Sequence, residues 1–232
     1  MQNCEINLDP FLNLRPILTT TLSQPLQLLA FLEAEGISAF SFTYRSEIAA
    51  ICNVPAMRLM SRARLNIRTG LDPVAVQHVM QLKPDLITLL DPQAPDQTLS
   101  MALPAVREMV DNIQAARDFN LALRIKPDLA ALKAAYRLRV NAVELATDSL
   151  AAQPNPDDRL TELQGIVRTV RVALRNKFRV TLAGNLNLKL VKTLQGLVEI
   201  DYYSVGRWLL DRALRSGIVS ALTEIHTTIE QD

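Results

Sequence analysis

The stretch Val198–Leu222, VEIDYYSVGRWLLDRALRSGIVSAL, decides how the rest of the chain is interpreted. Val198–Val205 is β-branched and aromatic, the composition of a buried strand. Gly206 permits a sharp turn and leaves room beside the backbone for a ligand. Trp208, Leu209, Ala213 and Leu214 then recur at helical spacing. A helix that begins just after such a turn presents free N–H groups and a positive dipole end, a setting suited to phosphate. In a barrel of alternating strands and helices, the last units commonly hold such a group.

The bulk properties agree with one barrel. The 232 residues are enough for a single buried core and match the usual size of an α/β barrel. Apolar residues make up 49% and mean hydropathy is slightly positive, which argues against disorder. No linker-like run stands out, so residues 1–232 are expected to form one domain. A net charge of +1 gives no global case for nucleic acid or an anionic membrane as partner. Cys4 and Cys52 are too few for a disulfide framework and point to a reducing compartment. No run reaches membrane-spanning length and the first residues do not resemble a secretory signal. A soluble cytoplasmic protein is therefore expected.

Reading outward, short apolar runs alternate with helical patterns eight times. The expected strands are Cys4–Asp9, Ile37–Thr43, Leu65–Thr69, Asp85–Leu90, Leu121–Ile125, Asn141–Ala146, Phe178–Leu182 and Val198–Val205. Pro25 marks a helix start with Ser23 as a possible cap, and Gly36 ends that helix. Glu47–Cys52 and Ala56–Ala63 read as short helical pieces. Asp72-Pro73 opens the helix that runs to Leu82. Helices are further expected over Leu103–Phe119, Asp128–Leu138, from Asp158 to about Lys177, over Leu188–Leu197 and after Gly206. Asp91–Ser100 is long for a barrel loop and is a candidate lid. This order favours a single (β/α)8 TIM barrel, with an open doubly wound sheet as the alternative. No G-x-G-x-x-G or Walker loop supports a nucleotide fold, and no cofactor is expected.

In such a barrel the site lies at the carboxyl ends of the strands. Arg45, Arg68, Arg124, Lys126 and Arg207 fall there, and five converging cations favour an anionic ligand. The competing reading for each is a solvated or carboxylate-paired charge. His78 falls on an outer helix and His226 near the C-terminus, so acid–base chemistry or a metal site built on histidine has no carrier. Glu144 lies inside an apolar strand. Facing the interior, it is an acid–base candidate with a pKa raised by burial; the slightly preferred reading is a carboxylate neutralised by a mouth arginine. Lys126 is a weak Schiff-base candidate, because Pro127 places it in a turn. Both cysteines read as core thiols.

The order of these motifs resembles the pyridoxine 5'-phosphate synthase family of vitamin B6 biosynthesis, over nearly the whole chain. INLDPFLNLR, FTYRSE, LNIRTG, KPDLITLLDP, NAVELATDS, RVTLAGN and SVGRWLLDRALRSGI stand in the order of that family's strand-end motifs. The resemblance implies a barrel that condenses 1-deoxyxylulose 5-phosphate with an aminoacetone phosphate. It implies that Asn7 and Gly206 contact the aminoacetone phosphate, that Asp9, Arg45 and Thr98 contact the sugar phosphate, and that Glu144 is the supporting carboxylate. It further implies association of copies through the outer helices, a homo-oligomer.

The departures fall on the chemistry. Thr43 stands where the family has a strand-two histidine, and Arg68 where it has a catalytic glutamate. Gly184 or Asn185 replaces a strand-seven histidine, and Pro10 and Arg207 replace two more. Threonine and arginine cannot shuttle protons near pH 7. The expectation is a divergent homologue without the condensation. It keeps a mouth for a phosphorylated small molecule or other anion, held by Asn7, Asp9, Arg45, Arg68, Thr98, Gly206 and Arg207, and has a binding or regulatory role. The alternatives are an enzyme of different reaction using Glu144, Asp9 or Lys126, an active synthase with a rearranged site, or a purely structural barrel.

Overall fold

The structure is a computed structural model that describes residues 4–14, 17 and 24–229, the side chains of 49–51 excepted. Eight strands close a parallel barrel in the order β1 to β8. They are β1 Cys4–Asn7, β2 Ala39–Thr43, β3 Arg64–Thr69, β4 Leu86–Leu89, β5 Leu121–Ile125, β6 Ala142–Ala146, β7 Arg179–Ala183 and β8 Tyr202–Val205. Closure is made by β1 against β8, with Glu5 opposite Ser204 and Ile6 opposite Val205. The alternative of an open sheet is thereby excluded.

The helices are α1 Asp9–Leu14, α2 Pro25–Ala34, α3 Ser46–Cys52, α4 Val54–Met60, α5 Pro73–Gln81, α6 Pro104–Ala115 and α7 Leu129–Arg137. They continue with α8 Asp148–Ala152, α9 Pro156–Arg175, α10 Leu188–Gln195, α11 Arg207–Ser216 and α12 Ile218–Ile229. Their starts follow local chemistry. The Asp72 carboxylate accepts from the amides of Val74 and Ala75, and Asp128 accepts from Ala131. Asn155 accepts from Asp157, so α9 begins two residues earlier than the sequence pattern suggests. The Ser23 cap lies outside the described residues.

Three local expectations change. The last strand is shorter than Val198–Val205, because Val198 and Ile200 are buried ahead of it in the turn that enters β8. The final helix is split, because Gly217 at φ +86° breaks it into α11 and α12. Residues 91–103 form neither helix nor strand. That connection is fastened to β5: the Leu99 amide donates to the Arg124 carbonyl, and Arg124 Nε donates to the Asp96 carbonyl, both at 2.9 Å.

Alternation along the strands separates two interiors. Ile6, Phe40, Phe42, Ile67, Leu89, Leu123, Leu145, Leu182 and Val205 point outward into the main core beneath the helices. Inside the barrel a small separate cluster holds Leu86, Ala122 and Ala142. Apart from small residues such as Ala39 and Ala183, the rest of the barrel interior is polar: Glu5, Ser41, Asn66, Arg68, Thr88, Glu144 and Ser204 are all buried there. Barrels are usually filled by branched apolar side chains. Here charge takes that place.

Candidate functional site

The charges inside the barrel form one ladder of alternating sign. Arg64 Nη1 donates to Glu5 Oε2 at 2.9 Å, and Arg68 Nη2 donates to Glu5 Oε1 at 3.0 Å. Arg68 Nε and Nη2 then grip Glu144 at 2.9–3.2 Å. Arg124 Nη1 donates to Glu144 Oε1 at 2.7 Å, and its Nη2 donates to Asp148 Oδ2 at 2.8 Å. Three guanidiniums and three carboxylates thus run from the strand starts to the mouth. At the far end Arg64 also lies over the Tyr202 ring, 4.3 Å from its centroid. At the mouth Asn185 Nδ2 donates to Asp148 Oδ1, while Asn185 Oδ1 accepts from Arg207 Nη1 at 2.8 Å.

This arrangement fixes the state of the central groups. Burial opposes ionisation of Glu144, yet the Arg68 and Arg124 guanidiniums beside it hold its carboxyl below the usual carboxylate range. Glu144 is therefore an anion and no proton donor near neutrality, the preferred of the two readings of the sequence. Burial disfavours the charged form of Arg68, but Glu144 and Glu5 outweigh that and keep it cationic. Arg68 also donates to the Ser41 and Ser204 hydroxyls at 2.6 and 2.9 Å. Its guanidinium is committed to the ladder, although the residue borders the mouth.

A cavity of about 420 Å³ opens at the carboxyl ends of the strands. Asn7, Asp9, Arg45, Arg68, Gly206 and Arg207 line it. Thr98 does not: it is buried, with its hydroxyl donating to Asp96 Oδ1 at 2.7 Å. Glu144 lies below it, reached only through Arg68 and Arg124. Lys126 is exposed and stands outside the cavity, and no lysine lines it among the described residues.

The mouth cations therefore fall into two groups. Arg68 and Arg124 are neutralised by carboxylates. Arg45 and Arg207 have amide partners only, Asn13 Oδ1 at 2.6 Å and Asn185 Oδ1 at 2.8 Å, with no carboxylate in ion-pair range among the described residues. Arg45 Nε is also shielded from solvent and has no hydrogen-bond partner among them. Between the two arginines, Asp9 is occupied by Thr43, whose amide and hydroxyl donate to it at 2.8 and 2.7 Å. Thr43 thus orients Asp9.

Gly206 serves packing as well as the mouth. A Cβ there would lie 2.9 Å from the Asn7 carbonyl oxygen and 3.0 Å from Asn7 Cβ, so its lack of a side chain admits β1. The first turn of α11 follows directly, and its amides, like those of any helix start, lack intrahelical acceptors. His226 Nε2 sits 2.8 Å from the Glu35 carbonyl at the end of α2. His78 Nδ1 sits 2.8 Å from the Tyr44 hydroxyl on the exposed side. Neither histidine lines the mouth. Among the described residues no group of three or more His, Cys, Asp or Glu is placed to hold a metal, and no helix is long and apolar enough to cross a membrane.

Four participants were missed in the sequence, among them Arg64, which stands four residues before Arg68 on the same inward face of β3. Glu5 lies two residues before Asn7 and so shares its inward face, a signal that strand alternation offered. Asp148 stands four residues beyond Glu144, past the strand end. Burial lifts its carboxyl above the usual range; Arg124 opposes this and Asp96 adds to it, with the balance upward. Asn185 was noted only as a substituted position. Gly184, at φ +120°, makes room for Asp148, since a Cβ would lie 2.1 Å from Asp148 Oδ2.

Fold and mouth together define a (β/α)8 barrel with a polar, arginine-bearing opening. The chain belongs to the family described as pyridoxal phosphate biosynthesis protein PdxJ, whose model matches residues 5–231. Among curated relatives, the pyridoxine 5'-phosphate synthase of Desulforapulum autotrophicum is 24% identical over 232 residues, covering 97% of each chain. That of Synechocystis sp. is 27% identical over 201 residues, covering 83% of this chain and 81% of the relative. Among solved structures, a complex of KGPDC from Streptococcus mutans matches with a TM-score of 0.64 at 12% identity, covering 99% and 98% of the two chains. A 3-hexulose-6-phosphate synthase matches at 0.63 and 15%, covering 98% and 99%. These two likenesses speak for the fold alone.

Proposed function

We propose that this family member binds a phosphorylated small molecule at the barrel mouth without carrying out the family's condensation. The observation that carries this reading is the division among the arginines. Arg68 and Glu144 neutralise each other inside the barrel, whereas Arg45 and Arg207 face the cavity with amide partners only. A phosphate at Arg207 meets the first turn of α11 as well. Arg45 takes a second anionic end or a polar group on the same ligand. Asn7 and Asp9 lie between them and suit hydroxyls. The role that follows is binding or regulatory, and copies associate through outer helices as the family resemblance implies.

Two measurements test this. Calorimetry with sugar phosphates and pyridoxal 5'-phosphate should give saturable binding that Arg207→Ala and Arg45→Ala each weaken by about tenfold or more. Absence of heat at millimolar ligand refutes the binding role. Expression in a pyridoxine auxotroph should not restore growth, and rescue refutes the loss of condensation. Sedimentation velocity reads the oligomeric state.

One observation favours a second reading, an enzyme acting on phosphorylated small molecules. Asp148 lines the cavity with a raised pKa, as an acid–base group requires. Turnover in a metabolite screen that disappears in Asp148→Asn would support it over the first.

A further inference from the structure

The face opposite the mouth carries an organised patch of charge. Helices α7 and α9 both run from the mouth side and end there, packed against each other. Their ends repeat one pattern: Tyr136-Arg137-Leu138-Arg139 and Leu174-Arg175-Asn176-Lys177. In each, the last residue donates its amide to the carbonyl of the first, Arg139 to Tyr136 at 3.0 Å and Lys177 to Leu174 at 2.9 Å. In each, that last residue takes a left-handed conformation, φ 56° and 61°. Glycine adopts this region freely and side-chain-bearing residues do so reluctantly. Both positions nevertheless carry a cation, as do Lys83 and Arg117 after α5 and α6, so what sets the α7 and α9 ends apart is the exposed apolar residue that begins each turn.

The apolar members stand out as well. Tyr136 is 59% exposed and leans edge-on against Phe178, with ring centroids 6.3 Å apart, which joins the two helix ends into one surface. Leu174 is 37% exposed. Arg137, Arg139, Arg175 and Lys177 are all exposed around them, and none takes part in an ion pair among the described residues. Counter-charge within these elements is lacking: residues 129–143 and 163–198 contain no Asp or Glu, in a chain whose net charge is only +1. Among the described residues, the acids of neighbouring elements, Asp118 after α6 and Asp201 before β8, form no ion pair with these four cations.

Helix termini alone do not account for this. Each carboxyl end carries about half a negative charge, so two ends call for about one cation. Four are present. Tyr136 ringed by three arginines has the composition enriched in protein-binding centres, and Leu174 and Lys177 extend the same patch. A nucleic acid backbone would use the cations and leave Leu174 idle.

We propose that the paired ends of α7 and α9 dock an acidic polypeptide segment of a partner protein, its carboxylates on Arg137, Arg139, Arg175 and Lys177 and an apolar side chain on Tyr136 and Leu174. This surface is independent of the mouth, so the proposal does not rest on ligand binding there.

Fluorescence anisotropy of the full chain with a fluorescein-labelled peptide of repeating Glu-Glu-Phe-Leu tests it. Saturable binding is expected at low salt and weakens as salt rises. Arg139→Glu combined with Lys177→Glu should weaken it by about tenfold or more, as charge reversal at a complementary surface does. Tyr136→Ser should weaken it at constant charge. Circular dichroism of each variant should match the parent, since all three side chains are exposed; Asn176→Asp, a milder change in the same loop, serves if the double variant misfolds. No saturable binding, equal binding by the variants, or tighter binding of a single-stranded oligonucleotide or of phosphatidylglycerol vesicles than of the peptide overturns the proposal.

Discussion

Replacing Glu144 by Gln removes one negative charge from a ladder whose three guanidiniums and three carboxylates balance. The carboxylate is 1% exposed and accepts from Arg68 and from Arg124. Breaking a buried pair from one side costs about 3–5 kcal/mol, because the remaining charge is stranded. For a chain of this size each kcal/mol moves the thermal midpoint by about 2–4 °C. Glu144→Gln should therefore lower the midpoint by roughly 6–20 °C in a circular dichroism melt. A second variant separates charge balance from packing. Arg68→Met with Glu144→Leu leaves two neutral pairs, Arg64 with Glu5 and Arg124 with Asp148. It strands no charge, although the Ser41 and Ser204 hydroxyls lose a donor at about 1 kcal/mol each. It should recover at least half of the single-variant loss. The pH dependence has a definite sign. Glu144 is more acidic folded than unfolded, so its contribution is present above the unfolded value of about 4.3 and fades as pH falls through the lower folded value. A Glu144→Gln midpoint within 2 °C of the parent (about half a kcal/mol), or a double variant no better than the single, refutes the ladder as the organiser of the barrel interior.

Three further outcomes follow from the geometry. Gly206→Ala forces a Cβ against Asn7 backbone at 2.9 Å and should cost about 1–3 kcal/mol in urea unfolding, while weakening any anion bound at the mouth. Anion affinity should rise as pH falls toward Asp148's elevated pKa, because protonation removes a negative charge beside the cavity; calorimetry across pH should show this slope, and Asp148→Asn should flatten it. Burial pushes the Cys4 thiol up to about 12, so in a Cys52→Ser background no thiol should react with Ellman's reagent at pH 8 until the chain unfolds.

The barrel was legible because its signals are local and repeated. Strand-like apolar runs and caps such as Asp72 and Asp128 recur at each unit, and short range suffices to place them. Boundaries slipped where tertiary contact overrides pattern. Val198 and Ile200 are buried like strand residues yet precede β8, and Gly217 stops a helix whose apolar spacing continues past it. The mouth was legible in membership but not in pairing. Arg45, Arg68 and Arg207 look alike in the sequence, and only closure of the barrel sets Glu5, 63 residues from Arg68, and Glu144, 76 residues away, against that one guanidinium. Thr98 matched by position along the chain, yet its hydroxyl turns to Asp96 within its own loop.

The ladder also constrains which neighbouring sequences the chain can reach. Arg68 Nη2 lies 3.0 Å from Glu5 and 2.9 Å from Glu144. An acidic residue at position 68 would put three carboxylates around one buried point, leaving Arg64 and Arg124 to answer for all of them and for Asp148. Like charges held that close cannot all ionise. A single reversal at position 68 is thus blocked until Glu5 or Glu144 changes first, and each of those first steps strands a cation in turn. Any route to an acidic residue there runs through variants less stable than either end, so the barrel interior behaves as a mutational ratchet.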